Sequence, residues 1–421
     1  MIAKPVVHSP DDYRPQKKEP TISTEQEHAI DLCCDLDNLI VGVTGGAGTG
    51  KTFVLGKVYN ELRARGHSVA LCAPTGRAAK RIQELTNIPA KTVHRLLEFP
   101  MPDDFIKDKT LAPDEPKRNQ RNPIAERVVI VDESSMVSPS LYRFLMNALA
   151  RGSVIRFFGD NNQLPPVEEG EPPFVNILKE RPSVELTFNF RSEDSIVSNA
   201  LRILGGRMPL RNDRFEMIYT DWPTKQLELF VKDSPEFGAD DHQIILPSRK
   251  GPVGTTKVNV ALQLKFNPKG PLLKLPRFNE EEADLGVRPG DKMIWVVNDY
   301  NMDLFNGEIG RITEVDLEDG SLELQLQDRV VVVPAISKRY SPYYGHMVNY
   351  DPRKQIECGY AITTHKAQGS EFDTVVYVIS RSAAFLLNKR NFYTAVTRAR
   401  KRVIVICDRK AMGISLRPMR T

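Results

Sequence analysis

The stretch Gly45-Gly46-Ala47-Gly48-Thr49-Gly50-Lys51-Thr52 constrains this chain more than any other. It fits G-x-x-x-x-G-K-[ST], the phosphate-binding loop of a nucleoside-triphosphate hydrolase. The apolar run Leu39-Ile40-Val41-Gly42-Val43-Thr44 before it reads as a buried strand, and Thr52 to Arg65 after it reads as a helix. The motif needs that order. Glycines let backbone N–H groups turn towards phosphates, and the helix N-terminus adds the positive end of its dipole. Lys51 is expected to reach the β- and γ-phosphates, and the Thr52 hydroxyl to ligate Mg²⁺. The loop names the fuel and leaves open the work done with it.

A second stretch completes such a site. Val128-Val129-Ile130-Val131 reads as a strand and exits into Asp132-Glu133, the Walker-B pattern. Asp132 is expected to hold Mg²⁺, and Glu133 to orient and deprotonate the attacking water. Val154-Ile155-Arg156-Phe157-Phe158 is another strand, and it runs into Gly159-Asp160-Asn161-Asn162-Gln163-Leu164-Pro165-Pro166. The Gln163 amide is placed there to sense the γ-phosphate, which makes the segment a candidate coupling element. The strand ending at Ala73 leads into Pro74-Thr75-Gly76-Arg77. Loops at the carboxyl ends of parallel strands form the functional edge of such sheets, so Thr75 and Arg77 are placed to touch a ligand. A helix opens at Thr24-Glu25-Gln26, with Thr24 as its cap. Gln26 is either a surface amide or a partner for the donor and acceptor edges of adenine. These elements make one parallel α/β domain that ends near residue 180.

The remaining chain is long enough for further domains: 421 residues suit two to four. The net charge of +4 permits a nucleic-acid partner without demanding one. Five cysteines with no C-x-x-C pair point to neither a zinc site nor a disulfide framework, and Cys72 and Cys407 sit in strand-like runs as core residues. No apolar run is long enough to span a membrane and no signal peptide opens the chain, so the cytoplasm is the expected compartment. Residues 1–20 read as a flexible tail. Residues 97–124, rich in proline and charge, read as an insertion, either a projecting hairpin or a disordered loop. Its aromatics, Phe99 and Phe105, either stack at a duplex junction or pack the insertion onto its parent domain. Strands resume at Gln243-Ile244-Ile245-Leu246, Val375 to Ile379 and Val403 to Cys407. Between them, short strands separated by Asn306-Gly307 and Asp319-Gly320 suggest a small antiparallel barrel inserted into a second α/β domain. The last dense cluster is Thr363-Thr364-His365-Lys366-Ala367-Gln368-Gly369-Ser370-Glu371, followed by Tyr393-Thr394-Ala395-Val396-Thr397-Arg398. An arginine there is placed to reach a phosphate held by the first domain.

The ordered set resembles a superfamily 1 helicase. It comprises G-G-A-G-T-G-K-T at 45–52, A-P-T-G-R-A-A at 73–79, T-V-H at 92–94 and V-D-E-S-S-M at 131–136. G-D-x-x-Q-L-P-P follows at 159–166, N-F-R-S at 189–192, T-H-K-A-Q-G-S-E-F at 364–372 and Y-T-A-V-T-R-A at 393–399. Tyr360 to Lys366 and Phe305 to Gly310 are typical of the 1B branch, the RecD and Dda helicases.

The resemblance implies an α/β fold of two RecA-like domains with parallel sheets clamping ATP and Mg²⁺, spanning 21–180 and 181–254 with 356–421. It also implies a strand-separating pin at 97–124 and an SH3-like barrel at 255–355. Gln26 would read adenine and Phe190 stack on it, an aromatic kept where many relatives carry Tyr. The loop Gly45 to Thr52 would hold the phosphates, Glu371 the ribose, and Gln163, Arg191 and Arg398 the γ-phosphate. Pro74, Thr75, Thr92, His94, Asn161, Thr364 and His365 would line a single-stranded track. The implied activity is 5′-to-3′ DNA unwinding by a monomer acting on single-stranded DNA and duplex junctions, with replication or recombination proteins as partners. Two other readings stay open: a motor subunit of a nuclease complex, and an ATP-gated binding or remodelling protein that does not separate strands.

Overall fold

The computed structural model describes residues 22–100, 104, 115–190, 195–275, 286–299, 302–341 and 345–419. Six strands form the first sheet: β1 (Ile40–Gly45), β2 (Val69–Ala73), β3 (Lys91–Thr92), β4 (Val128–Val131), β5 (Val154–Gly159) and β6 (Ser183–Leu186). Their order is β3-β2-β4-β5-β1-β6, and every pairing is parallel. Strands covered on both faces read as continuous apolar runs, and all of β4 is buried. Helices α1 (Thr24–Cys34), α2 (Lys51–Ala64) and α3 (Gly76–Thr86) cover one face through Ala29, Val54, Leu55, Val58 and Ile82. Helices Pro139–Ala148 and Pro173–Glu180 cover the other through Leu141, Leu145 and Ile177.

Two details depart from expectation. Ser23, not Thr24, caps α1: its hydroxyl accepts from Gln26 N while Ser23 N donates to Gln26 Oε1, a reciprocal capping box. The first sheet also runs past residue 180, because β6 pairs with β1. The short strand Ser183-Val184-Glu185-Leu186 shows no run of its own that tells it from a loop, so its partner defines it. Arg156 lies fully buried in β5. Its guanidinium donates to the carbonyls of Cys33, Asp35 and Asn38, at and just past the C-terminal end of α1, where carbonyls lack helical partners.

A second parallel sheet has the order Ala361–Thr363, His242–Leu246, Phe372–Ile379, Ala399–Cys407, Phe215–Tyr219. The segment between its strands folds into a five-stranded antiparallel sheet of order Val330–Val333, Leu322–Gln325, Ile309–Val315, Lys292–Trp295, Ile356–Cys358. Gly307 and Gly320 take positive φ of 91° and 75° at the Asn-Gly and Asp-Gly turns. The helix Thr255–Phe266 lies against both sheets: its Asn259 Nδ2 donates to the carbonyl of Cys358, in the inserted sheet, and to that of Ala361, in the second parallel sheet. Lys292 is fully buried, donates to the carbonyls of Ala239 and His242, and is pushed down to about 7 by burial.

The inserted sheet also reaches the first domain. Arg77 of α3 donates to the Gly307 carbonyl at 3.2 Å, and Lys80 pairs with Asp328 at 2.5 Å. Among the described residues, no helix is long and apolar enough to cross a membrane.

Candidate active site

The order of the first sheet puts β4, β5 and β1 side by side, so their three exit loops converge at one edge. That edge and the second domain enclose a cleft of about 320 Å³, lined by Gly46, Ala47, Gly48, Gly50, Lys51 and Thr52. Gly48 and Gly50 hold φ of 83° and 81°, which an L side chain rarely adopts. A Cβ at Gly50 would also strike the Gln26 amide. Lys51 Nζ donates to the carbonyls of Gly45 and Gly46 at 2.6 and 2.9 Å, which holds the amine inside the loop.

Gln26 and Phe190 both flank Gly50. Gln26 is buried, and its Nε2 donates to the Thr49 carbonyl while its Oε1 serves the capping box. Phe190 is 43% exposed and its N–H donates to the Gly48 carbonyl. Asn189 Nδ2 donates to the Ala47 carbonyl, so the segment after β6 clasps the loop from outside. Arg191 lies outside the described residues.

Asp132 and Glu133 line the same cleft. Burial, reinforced by the neighbouring Glu133 charge, raises the Asp132 carboxyl to about 6. Glu133 is half-buried and sits at φ 48°, a left-handed backbone that costs a non-glycine residue energy and that clusters at functional sites. Gln163 is 5% exposed, and its Oε1 has no hydrogen-bond partner among the described residues. A buried acceptor left open in a cleft fits a ligand or a water that donates to it.

The second domain supplies Glu371, Thr397 and Arg398 to the lining. Arg398 is 4% exposed and donates to the Thr394 carbonyl, the Ser370 carbonyl and the Thr397 hydroxyl. Its guanidinium is therefore oriented by its own helix end. Three further bonds tie the domains together beside it. The Tyr393 hydroxyl donates to Asp160 Oδ2 at 2.7 Å, Leu164 N to Thr394 Oγ1 at 2.9 Å, and Gln368 Nε2 to the Leu164 carbonyl at 2.9 Å. The segment after β5 is thus held by the second domain at both ends.

The expected strand-track residues are less uniform. Thr75 and Thr92 use their hydroxyls as helix caps, accepting from Ala78 N and Arg95 N. Asn161 is half-buried, its N–H on Thr44 Oγ1. His365 is half-buried and kept neutral by burial, which lowers its pKa. Pro74 is buried. Thr364 corrects the expectation: it has no exposed surface, and its hydroxyl donates to Asn391 Oδ1. Its side chain braces the loop and offers nothing to a passing strand.

Phe105 lies outside the described residues. Phe99 packs, with its ring 5.0 Å from His94 and 5.6 Å from Phe144. His94 is thereby enclosed, its Nδ1 without a hydrogen-bond partner among the described residues and its pKa lowered by burial. Phe99→Ala is expected to cost about 2–3 kcal/mol of stability, at or below the lower end for a fully buried ring. Thermal melting checks it. A normal melting temperature combined with a selective loss of duplex opening would return Phe99 to a wedge role.

Sequence reading missed Arg81, which lines the cleft from α3. The signal was present in helical spacing: Ala78, Arg81, Ile82 and Leu85 share one face, and all four line the cleft. The Tyr393–Asp160 bond had no comparable signal, because the two residues lie 233 positions apart.

The family described as AAA domain matches residues 21–214, and the UvrD-like helicase C-terminal domain matches residues 359–406. The ATP-dependent RecD2 DNA helicase of Deinococcus radiodurans is 33% identical over 394 residues, which cover 92% of this chain and 49% of that protein. The RecBCD enzyme subunit RecD of Mycolicibacterium smegmatis is 28% identical over 415 residues, covering 86% of this chain and 67% of that protein. The chain therefore spans about half the length of the RecD2 protein it matches. Among solved structures, the Pif1 helicase from Bacteroides in complex with ADP-AlF3 and single-stranded DNA aligns with TM-score 0.55 at 20% identity, covering 92% of each chain. At that identity the likeness speaks for the shared fold.

Proposed function

The chain belongs to superfamily 1B of the helicases, beside RecD-type proteins, and on that premise we propose that it hydrolyses ATP to move 5′-to-3′ along single-stranded DNA and to open duplex ahead of it. One observation carries this reading: the cleft gathers the phosphate loop, two carboxylates and Gln163 from one domain, with Glu371 and Arg398 from the other. A site split between domains ties the state of the nucleotide to the distance between them.

In this reading the phosphate loop and Lys51 bind the triphosphate, with Gln26 and Phe190 at the adenine end. Thr52 and Asp132 fit Mg²⁺: they line the same cleft, and a buried carboxyl raised towards neutrality is one that a divalent cation would recharge. The metal would supply charge neutralisation at the phosphates. Glu133 takes the proton of the attacking water, and the open Gln163 oxygen holds that water in line. Arg398 and Arg191 meet the charge that grows on the γ-phosphoryl. The inserted antiparallel sheet, taken as the SH3-type module, grips the strand beside the first domain.

A motor has to step along any sequence, so its contacts should fall on sugars, phosphates and base faces rather than on base edges. ATP hydrolysis is therefore expected to rise strongly with single-stranded DNA of any sequence, and binding to weaken as salt rises. The deciding experiment incubates the purified chain with duplexes carrying a 5′ or a 3′ tail. Opening of the 5′-tailed duplex alone supports the proposal; opening only from a 3′ tail refutes the polarity. A subunit of RecBCD stands among the relatives, which favours a second reading as a partner-dependent motor. DNA-stimulated ATPase without strand separation by the isolated chain would select it.

A further inference from the structure

Helix α3 carries two arginines four residues apart, so Arg77 and Arg81 lie on one face, one turn above the other. Each meets one of two consecutive residues of the second domain. Arg81 Nη2 lies 2.6 Å from Glu371 Oε1, and the Arg77 guanidinium sits over the Phe372 ring, 5.3 Å from its centroid. The Arg81–Glu371 pair is drawn in from the surface, its side chains 30% and 23% exposed, and both residues line the nucleotide cleft. Both ends are anchored. Ala78 and Ile82 are buried in the first core, and Phe372 in the second. The charge of Arg81 reaches further into the cleft, where it helps to hold the Asp132 carboxyl down against burial.

We propose that Arg81 is a positioning residue of the nucleotide site: by pairing with Glu371 across the cleft, with Arg77 on Phe372 as the second point of a clasp, it sets where the second domain's wall stands against the phosphate loop. A carboxylate held at one place presents its remaining lone pairs to a nucleotide hydroxyl in a fixed direction. A free one spreads over rotamers, and binding has to freeze them. The planar guanidinium fork fixes direction as well as charge, which an ammonium does not.

The inference rests on the nucleotide reading of the cleft, and the test separates the two. KM for ATP and kcat are measured with saturating single-stranded DNA for Arg81→Glu, Glu371→Arg and the double reversal, beside Arg81→Lys and Lys51→Ala. Arg81→Glu is expected to raise KM about tenfold while kcat changes less than about threefold, since neighbours in one ion pair couple by a factor of this order. The double reversal lacks the Glu371 carboxylate, so it is expected to keep about the defect of Glu371→Arg alone, well short of the two single defects combined, and Arg81→Lys is expected to recover part of the Arg81→Glu loss. A KM for Arg81→Glu equal to the starting value overturns the proposal, as does a double reversal whose defect equals the sum of the singles. Thermal melting screens out unfolding, and a variant that fails it is replaced by the Arg81→Ala and Glu371→Ala cycle, read in the same way. An active Lys51→Ala would instead sink the nucleotide reading itself.

Discussion

Lys51→Ala is expected to hydrolyse ATP at no more than about a hundredth of the normal rate, even with saturating single-stranded DNA. The amine is delivered into the phosphate loop by two carbonyl contacts, to Gly45 and Gly46. A methyl group there leaves the β- and γ-phosphates facing backbone N–H groups without their main cation. The fold should survive, because Lys51 is the first residue of α2 and its buried neighbours are Val54, Leu55 and Val58. Steady-state phosphate release checks the rate, and thermal melting checks the fold. Turnover within threefold of normal would remove this cleft from the mechanism.

Arg398→Ala is expected to lose about 10³-fold or more in turnover with a much smaller change in nucleotide affinity, the signature of an arginine that acts on transition-state charge. Its guanidinium reaches the cleft from the second domain and is oriented by the Thr394 and Ser370 carbonyls and the Thr397 hydroxyl. Arg398→Lys keeps the charge and loses the fork, so it should recover little. The measurement is kcat beside an equilibrium titration with a fluorescent ATP analogue. Full turnover in Arg398→Ala would leave hydrolysis to the first domain alone and separate it from domain closure.

These two residues mark opposite ends of what a linear reading delivers. Lys51 sits in a contiguous motif whose strand and helix are its immediate neighbours, so local order and spacing were enough. The cluster ending in Arg398 offered an arginine able to reach across to the first domain, and the resemblance added its γ-phosphate role, since its partner site lies in another domain. Phe99 shows a different limit. Its chemistry suits a wedge and a core equally, and the contacts with His94 and Phe144 put it in packing. Thr364 shows another: motif membership placed it on a strand track, while its burial leaves it bonded to Asn391.

The sequence by itself determined the parallel α/β class, the phosphate loop, the carboxylate pair after β4 and the antiparallel insertion, because each is written in residues adjacent in the chain or spaced by one structural period. Tertiary structure alone decided that β6 completes the first sheet, that Ser23 and Gln26 close a capping box, and that Gln26 holds the Thr49 carbonyl. It also decided the bonds across the cleft: Arg81 to Glu371, Tyr393 to Asp160, and the second domain's grip on Leu164. The physical reason is range. Propensity, capping and periodicity act over a few residues, whereas a hydrogen bond or ion pair between residues hundreds of positions apart exists only after two separate cores have formed and docked.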